Sequence, residues 1–70
     1  MTIYEHVDTM VSFDGIQVDI FNLKQGRYPT EIYFPSFPED AREFFPAWVL
    51  NFHGSYERLT DTLYKLGFRW

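Results

Sequence analysis

SFPEDAREFFPAWVLNFHG, residues 36–54, is the stretch whose reading decides the fold. Its apolar residues Ala41, Phe44, Phe45, Trp48, Val49 and Phe52 recur at the spacing of one face of an α-helix. Ser36 followed by Glu39 is a capping-box pattern, and Gly54 is a stop signal. The spacing predicts one helix over 36–54, with an aromatic stripe that a sheet must cover. Pro46 is the difficulty. Inside a regular helix it removes a backbone hydrogen bond and clashes with the carbonyl of Arg42, at a cost of about 3 kcal/mol. It falls on the polar side of the stripe, so a helix kinked there still buries its aromatic face. The competing reading is a short helix ending at Phe45, followed by a strand over 47–52.

Downstream, Ser55 suits an N-cap, and Tyr56, Leu59, Leu63 and Leu66 follow at near-helical spacing to a stop at Gly67. Phe68 and Trp70 form an aromatic tail that either folds back or meets a partner. Upstream, TEIYF (30–34) predicts a strand ended by Pro35, and KQGRYP (24–29) a turn. Asp14-Gly15, between MVSF and IQVDIF, suits a two-residue hairpin turn. That turn sets Phe13 opposite Ile16, Val11 opposite Val18 and Thr9 opposite Ile20 on one face. Ser12/Gln17 and Met10/Asp19 fall on the other. Phe21 and Leu23 land on this polar side without an explanation. Residues 2–8 fit a helix or a strand, and a long or bulged first strand is adopted. The expected fold is α+β in the order βββαα: a three-stranded antiparallel meander packed by two C-terminal helices.

Seventy residues make one small domain. Aromatic residues are 21% of the chain, which excludes disorder and exceeds what one small core hides with ease. There is no cysteine, so disulfides, thiolate zinc sites and cysteine catalysis are excluded. The first ten residues lack a signal-peptide pattern, and no apolar run approaches the roughly 18 residues of a membrane span. A soluble, cytoplasmic protein is expected. The formal net charge is −4, and residues 1–23 hold Glu5, Asp8, Asp14 and Asp19 with no Lys or Arg. Such an acidic front half argues against phosphate-backbone binding and suits a basic partner.

No motif carries catalysis. The serines lie in no nucleophile elbow, and no glycine-rich loop cradles a phosphate. His6 and Asp8 with distant His53 are the minimum for a metal or acid–base site, at a spacing that matches no ligand motif. Neither a cofactor nor a metal is expected. Glu39, Asp40 and Glu43 compensate a helix dipole and also offer an acidic contact surface. Arg27-Tyr28 and Tyr33 suit a protein interface better than a base-stacking platform. The candidate partner-binding residues are Glu39, Asp40, Glu43, Asp14, Asp19, Tyr28, Tyr33 and Trp70. Tyr4 and Phe21 are further candidates for an exposed aromatic surface, whereas Phe44, Phe45, Trp48 and Phe52 are assigned to the core.

In size, acidity and aromatic content the chain resembles the small accessory inhibitors of phages and mobile elements, such as anti-CRISPR or host-takeover proteins. The resemblance implies a non-enzymatic module that binds and blocks a host protein with a basic surface, in the host cytoplasm. Two other classes stand beside it: a self-associating structural homodimer, and a small metal-dependent enzyme using His6, Asp8 and His53.

Overall fold

The structure, a computed structural model, describes residues 2–25 and 32–70. It is α+β, with an antiparallel sheet followed by helices. The elements run β1 (Thr2–Ser12), β2 (Gln17–Gln25), β3 (Ile32–Ser36), a 3₁₀ segment (Glu39–Phe44), α1 (Ala47–Leu50), α2 (Tyr56–Lys65) and β4 (Phe68–Arg69). Residues 2–8 are strand. The sheet has four strands, in the order β3-β2-β1-β4, where three were expected. The meander is there, and the C-terminal tail folds back to add a strand on the outer edge of β1, with Val11 opposite Arg69 and Ser12 opposite Phe68.

The single helix over 36–54 does not form. Ser36 is the last residue of β3 and pairs with Asp19, two residues ahead of the N-cap position of the 3₁₀ segment. Pro38 precedes the 3₁₀ segment without a side-chain cap. Phe45 is extended, at φ −118 and ψ 144, as a residue before proline tends to be. Pro46 then N-caps α1, where a missing N–H costs nothing, and its carbonyl accepts from Val49 at 3.0 Å. The alternative strand over 47–52 does not form either. Ala47–Leu50 is one helical turn, after which Gly54 bridges Tyr33 through two backbone bonds of 2.7 and 3.1 Å. Gly54 is therefore no helix stop. A Cβ there would lie 3.0 Å from the Phe52 ring, so a glycine is what lets that ring pack.

The hairpin turn is one residue longer than expected. The Gly15 amide donates to the Ser12 carbonyl at 3.0 Å, and the Ser12 amide to the Ile16 carbonyl at 2.9 Å. The loop is thus Phe13-Asp14-Gly15, a turn completed by a glycine with φ 86. A two-residue turn would need positive φ at Asp14 as well; this one needs it at Gly15 alone. Ser12 Oγ also accepts from the Ile16 amide at 2.9 Å. The register of β1 shifts by one, so Met10 faces Val18 and Val11 faces Gln17. Met10 is fully buried, while Val11 and Phe13 are exposed. The β2 half of the expected apolar face, Ile16, Val18 and Ile20, is on the core side as read.

A bulge between His6 and Asp8 shifts the register again. The core forms where Met10, Val18, Ile20 and Phe68 of the sheet meet Val49, Phe52, Leu59 and Leu63. Each such side chain contributes about 1.5–3 kcal/mol when fully buried. α2 is anchored as its sequence suggests: Ser55 Oγ accepts from the Arg58 amide at 3.2 Å, and Gly67 follows the helix at φ 101. Because the 36–54 stripe is broken, it no longer presents one face. Ala41, Val49 and Phe52 stay buried, Phe45 is half-buried, and Phe44 and Trp48, expected in the core, are 71% and 59% exposed. Among the described residues no helix is long and apolar enough to cross a membrane.

Candidate functional site

The elements that meet at the hairpin end build an apolar concavity. The turn supplies Ser12, Asp14 and Ile16; the end of the 3₁₀ segment supplies Phe44 and Phe45; the end of α2 and start of β4 supply Leu66 and Phe68. They line a groove of about 420 Å³. Phe45 and Phe68, with ring centroids 5.5 Å apart, form part of its wall, and Phe37 backs Phe45 at 4.4 Å. The sequence places these rings here through two breaks. Pro46 ends the 3₁₀ segment after Phe45, and Gly67 turns the chain so that Phe68 enters the sheet. Phe13, at the turn tip, and Leu66 add exposed apolar surface beside the groove.

The groove carries one carboxylate, Asp14, and the hydroxyl of Ser12, which is already bonded to the turn. Asp14 and Glu43, the residue before Phe44, are exposed, as are Glu39 and Asp40 at the start of the 3₁₀ segment. None of these four carboxylates takes part in an ion pair among the described residues, where the pairs are His6–Asp19, Lys24–Glu5 and Lys65–Asp61. Lys65, the basic residue nearest in sequence to Leu66, is compensated by Asp61 at 3.1 Å. The hairpin end therefore combines an apolar groove with exposed carboxylates that form no ion pair among the described residues, Arg42 being the one cation of the 3₁₀ segment.

The remaining candidate residues separate. Asp19 lies on the helix-free side of the sheet, where its Oδ1 accepts from Thr9 Oγ1 at 2.9 Å and Gln17 Nε2 at 3.2 Å. His6 Nε2 is 2.9 Å from the same Thr9 hydroxyl and 3.5 Å from Asp19. Burial alone pushes the Asp19 carboxyl up, but these hydrogen bonds and the nearby His6 outweigh it and hold it below its ordinary value. Tyr33 is half-buried on the helix side, its ring 5.4 Å from that of Tyr56. Trp70 is exposed yet tethered, donating from its indole nitrogen to Asp8 Oδ2 at 2.7 Å. Tyr28 lies outside the described residues, as do most of the expected turn and the first residues of the expected third strand.

Asp8, expected only as a member of a metal or acid–base site with His6 and His53, is a structural junction. It accepts from the Tyr56 hydroxyl, the Trp70 indole and the Thr9 amide, and so ties β1 to α2 and to the tail. Burial works to raise its pKa; the bonds from Tyr56, Thr9 and Trp70, with His6 nearby, prevail and lower it. The Tyr56 phenol is correspondingly raised, first by its bond to Asp8 and then by burial. The bulge after His6 puts His6 on the Phe21 side of the sheet and Asp8 on the Ile20 side. His6, Asp8 and His53 thus do not assemble, and no group of three or more His, Cys, Asp or Glu among the described residues is placed to hold a metal.

On the helix-free side, cross-strand pairing sets a row of rings across the sheet. Phe21 pairs with both His6 and Phe34, and Tyr4 meets Phe34 at 5.6 Å, edge to face. Phe34 stacks on Phe21 at 5.7 Å and on His53 at 5.8 Å. The unexplained position of Phe21 and Leu23 on the polar side of β2 was the sequence signal for this row.

No protein-family model matches the chain, and neither the curated proteins nor the solved structures give a match.

Proposed function

We propose that the chain is a non-enzymatic interaction module that takes a basic, amphipathic segment of a partner protein into the groove at its hairpin end. The observation that carries this reading is the apolar groove of Ile16, Phe44, Phe45, Leu66 and Phe68 with Asp14 at its rim and Glu43 beside it. Apolar side chains of the partner would fill the groove and its Lys or Arg would meet the carboxylates. Aromatic anchors in a pocket give affinity, and charge complementarity gives approach rate and selectivity. A groove whose polar lining is one turn-bound hydroxyl and one carboxylate favours binding over chemistry. The size and composition shared with phage and mobile-element inhibitors extend the proposal to blockade of a partner in the host cytoplasm.

The test uses a synthetic amphipathic Leu/Lys peptide as the probe and calorimetry as the readout. Saturable binding that weakens with added salt is expected, because screening removes the charge term. Phe44→Lys and the double change Asp14→Lys with Glu43→Lys should each abolish it, and a Leu/Glu peptide should not bind. A chain that ignores the basic peptide, or binds it as well after charge reversal, sinks the proposal.

A further inference from the structure

We propose that the helix-free face of the sheet is a self-association surface, the occupant being a second copy of this chain. Among the described residues α1 and α2 pack on the opposite face, against Met10, Val18 and Ile20, and the Tyr4, Phe21 and Phe34 rings with His6 and His53 run across this one. Tyr4 is 63% exposed. Leu23 and Ile32 pair on the same side and extend the apolar surface. Charge is nearly absent. Among the described strand residues of this face only Asp19 and Arg69 are charged. Arg69 turns its guanidinium away, 3.6 Å over the Tyr64 ring of α2, and donates to the Tyr64 and Phe68 carbonyls. Asp19 is engaged by Thr9 and Gln17 of its own chain.

In a molecule of net charge −4 this pattern points to a particular occupant. Among the described residues a basic partner finds only Asp19 to pair with here, and a phosphate backbone finds only Arg69, whose guanidinium is held at Tyr64 and Phe68. A copy of the same face brings aromatic rings without opposing charge, and a two-fold contact between identical patches is the commonest form of closed association. The area suits a weak dimer. Strands of 11, 9, 5 and 2 residues, at about 3.3 Å per residue and about 4.8 Å per strand, give the face a footprint of roughly 430 Å². Two such faces reach roughly 860 Å², the size of weak, transient contacts rather than of standard interfaces.

Sedimentation equilibrium of the full chain tests this independently of the groove. The weight-average mass should climb from 8.4 kDa toward twice that value between low-micromolar and near-millimolar concentration. Added salt should strengthen association by screening repulsion between the two acidic chains, opposite to its effect on basic-peptide binding. Tyr4→Lys and Phe34→Lys should each weaken self-association at least tenfold and leave peptide binding intact, whereas Phe44→Lys should do the reverse. Tyr4 is exposed enough that its change need not disturb folding, which circular dichroism checks. A chain monomeric to near-millimolar concentration overturns the proposal. So does a Tyr4→Lys chain that associates like the wild type, or a monomeric chain whose sheet face takes a foreign neutral peptide.

Discussion

Single residues set the register and tie the ends of this fold together. Gly15 has φ 86, and a Cβ built there would touch nothing, so only backbone strain opposes a side chain. Gly15→Ala should destabilise by about 1–2 kcal/mol, the cost of left-handed backbone in an L-residue, as read by urea unfolding. An unchanged midpoint would mean that the turn is not the one described. Asp8 makes a second residue-level claim. Its lowered pKa gives stability that is complete above about pH 4, the ordinary carboxyl range, and is lost as pH falls through the lower folded value. The raised pKa of Tyr56 gives stability that is complete below about pH 10 and is lost as pH rises through the higher folded value. Asp8→Asn should lower stability at neutral pH by about 1–3 kcal/mol and flatten both limbs of the stability–pH profile. Tyr56→Phe should reduce the alkaline limb, and melting curves across pH that leave this limb untouched would refute the pairing. Little of this was legible beforehand. Asp14-Gly15 announced a hairpin, but whether one or two of its residues adopt positive φ depends on whether Met10 or Val11 is to be buried, and that is a tertiary choice. Asp8 was legible only as a candidate metal or acid–base residue; its role as a tie was not, because its partners Tyr56 and Trp70 lie 48 and 62 residues away.

At the scale of elements, the first three strands and α2 followed from local pattern, although Pro35, expected to end β3, pairs with Ile20 inside it; the 36–54 stretch did not follow. The α2 reading held because cap, periodicity and glycine stop agreed. In 36–54 the helical spacing of the aromatics competed with pairing of Ser36 in β3 and with two prolines, and pairing and prolines prevailed. The fourth strand was invisible because two residues, Phe68 and Arg69, carry no periodicity. Pro46 now sits at an element boundary, so its role differs from that of a helix breaker. Pro46→Ala should leave far-ultraviolet circular dichroism unchanged and lower stability by about 0.4–1 kcal/mol through the freer unfolded chain. A clear gain in helix would show that Pro46 alone keeps the 3₁₀ segment and α1 apart.

Across the whole molecule, the aromatic surplus is spread over two surfaces of different electrostatic character. One is the groove at the hairpin end, beside carboxylates that form no ion pair among the described residues; the other is the sheet face, where Asp19 and Arg69 are the charged residues among the described strand positions. The sequence made the surplus and the acidity legible, and it named Asp14 and Glu43. It misplaced Phe44 because the broken segment turns that ring outward, and it missed the groove because turn, 3₁₀ segment and α2 converge only in the fold. The most direct test is chemical-shift mapping of the isotopically labelled chain during titration with the Leu/Lys peptide. Perturbations should concentrate at Ser12, Asp14, Ile16, Phe44 and Leu66 and vanish in Phe44→Lys. Perturbations centred on Phe21 and Phe34, or none at saturating peptide, would contradict the proposed function.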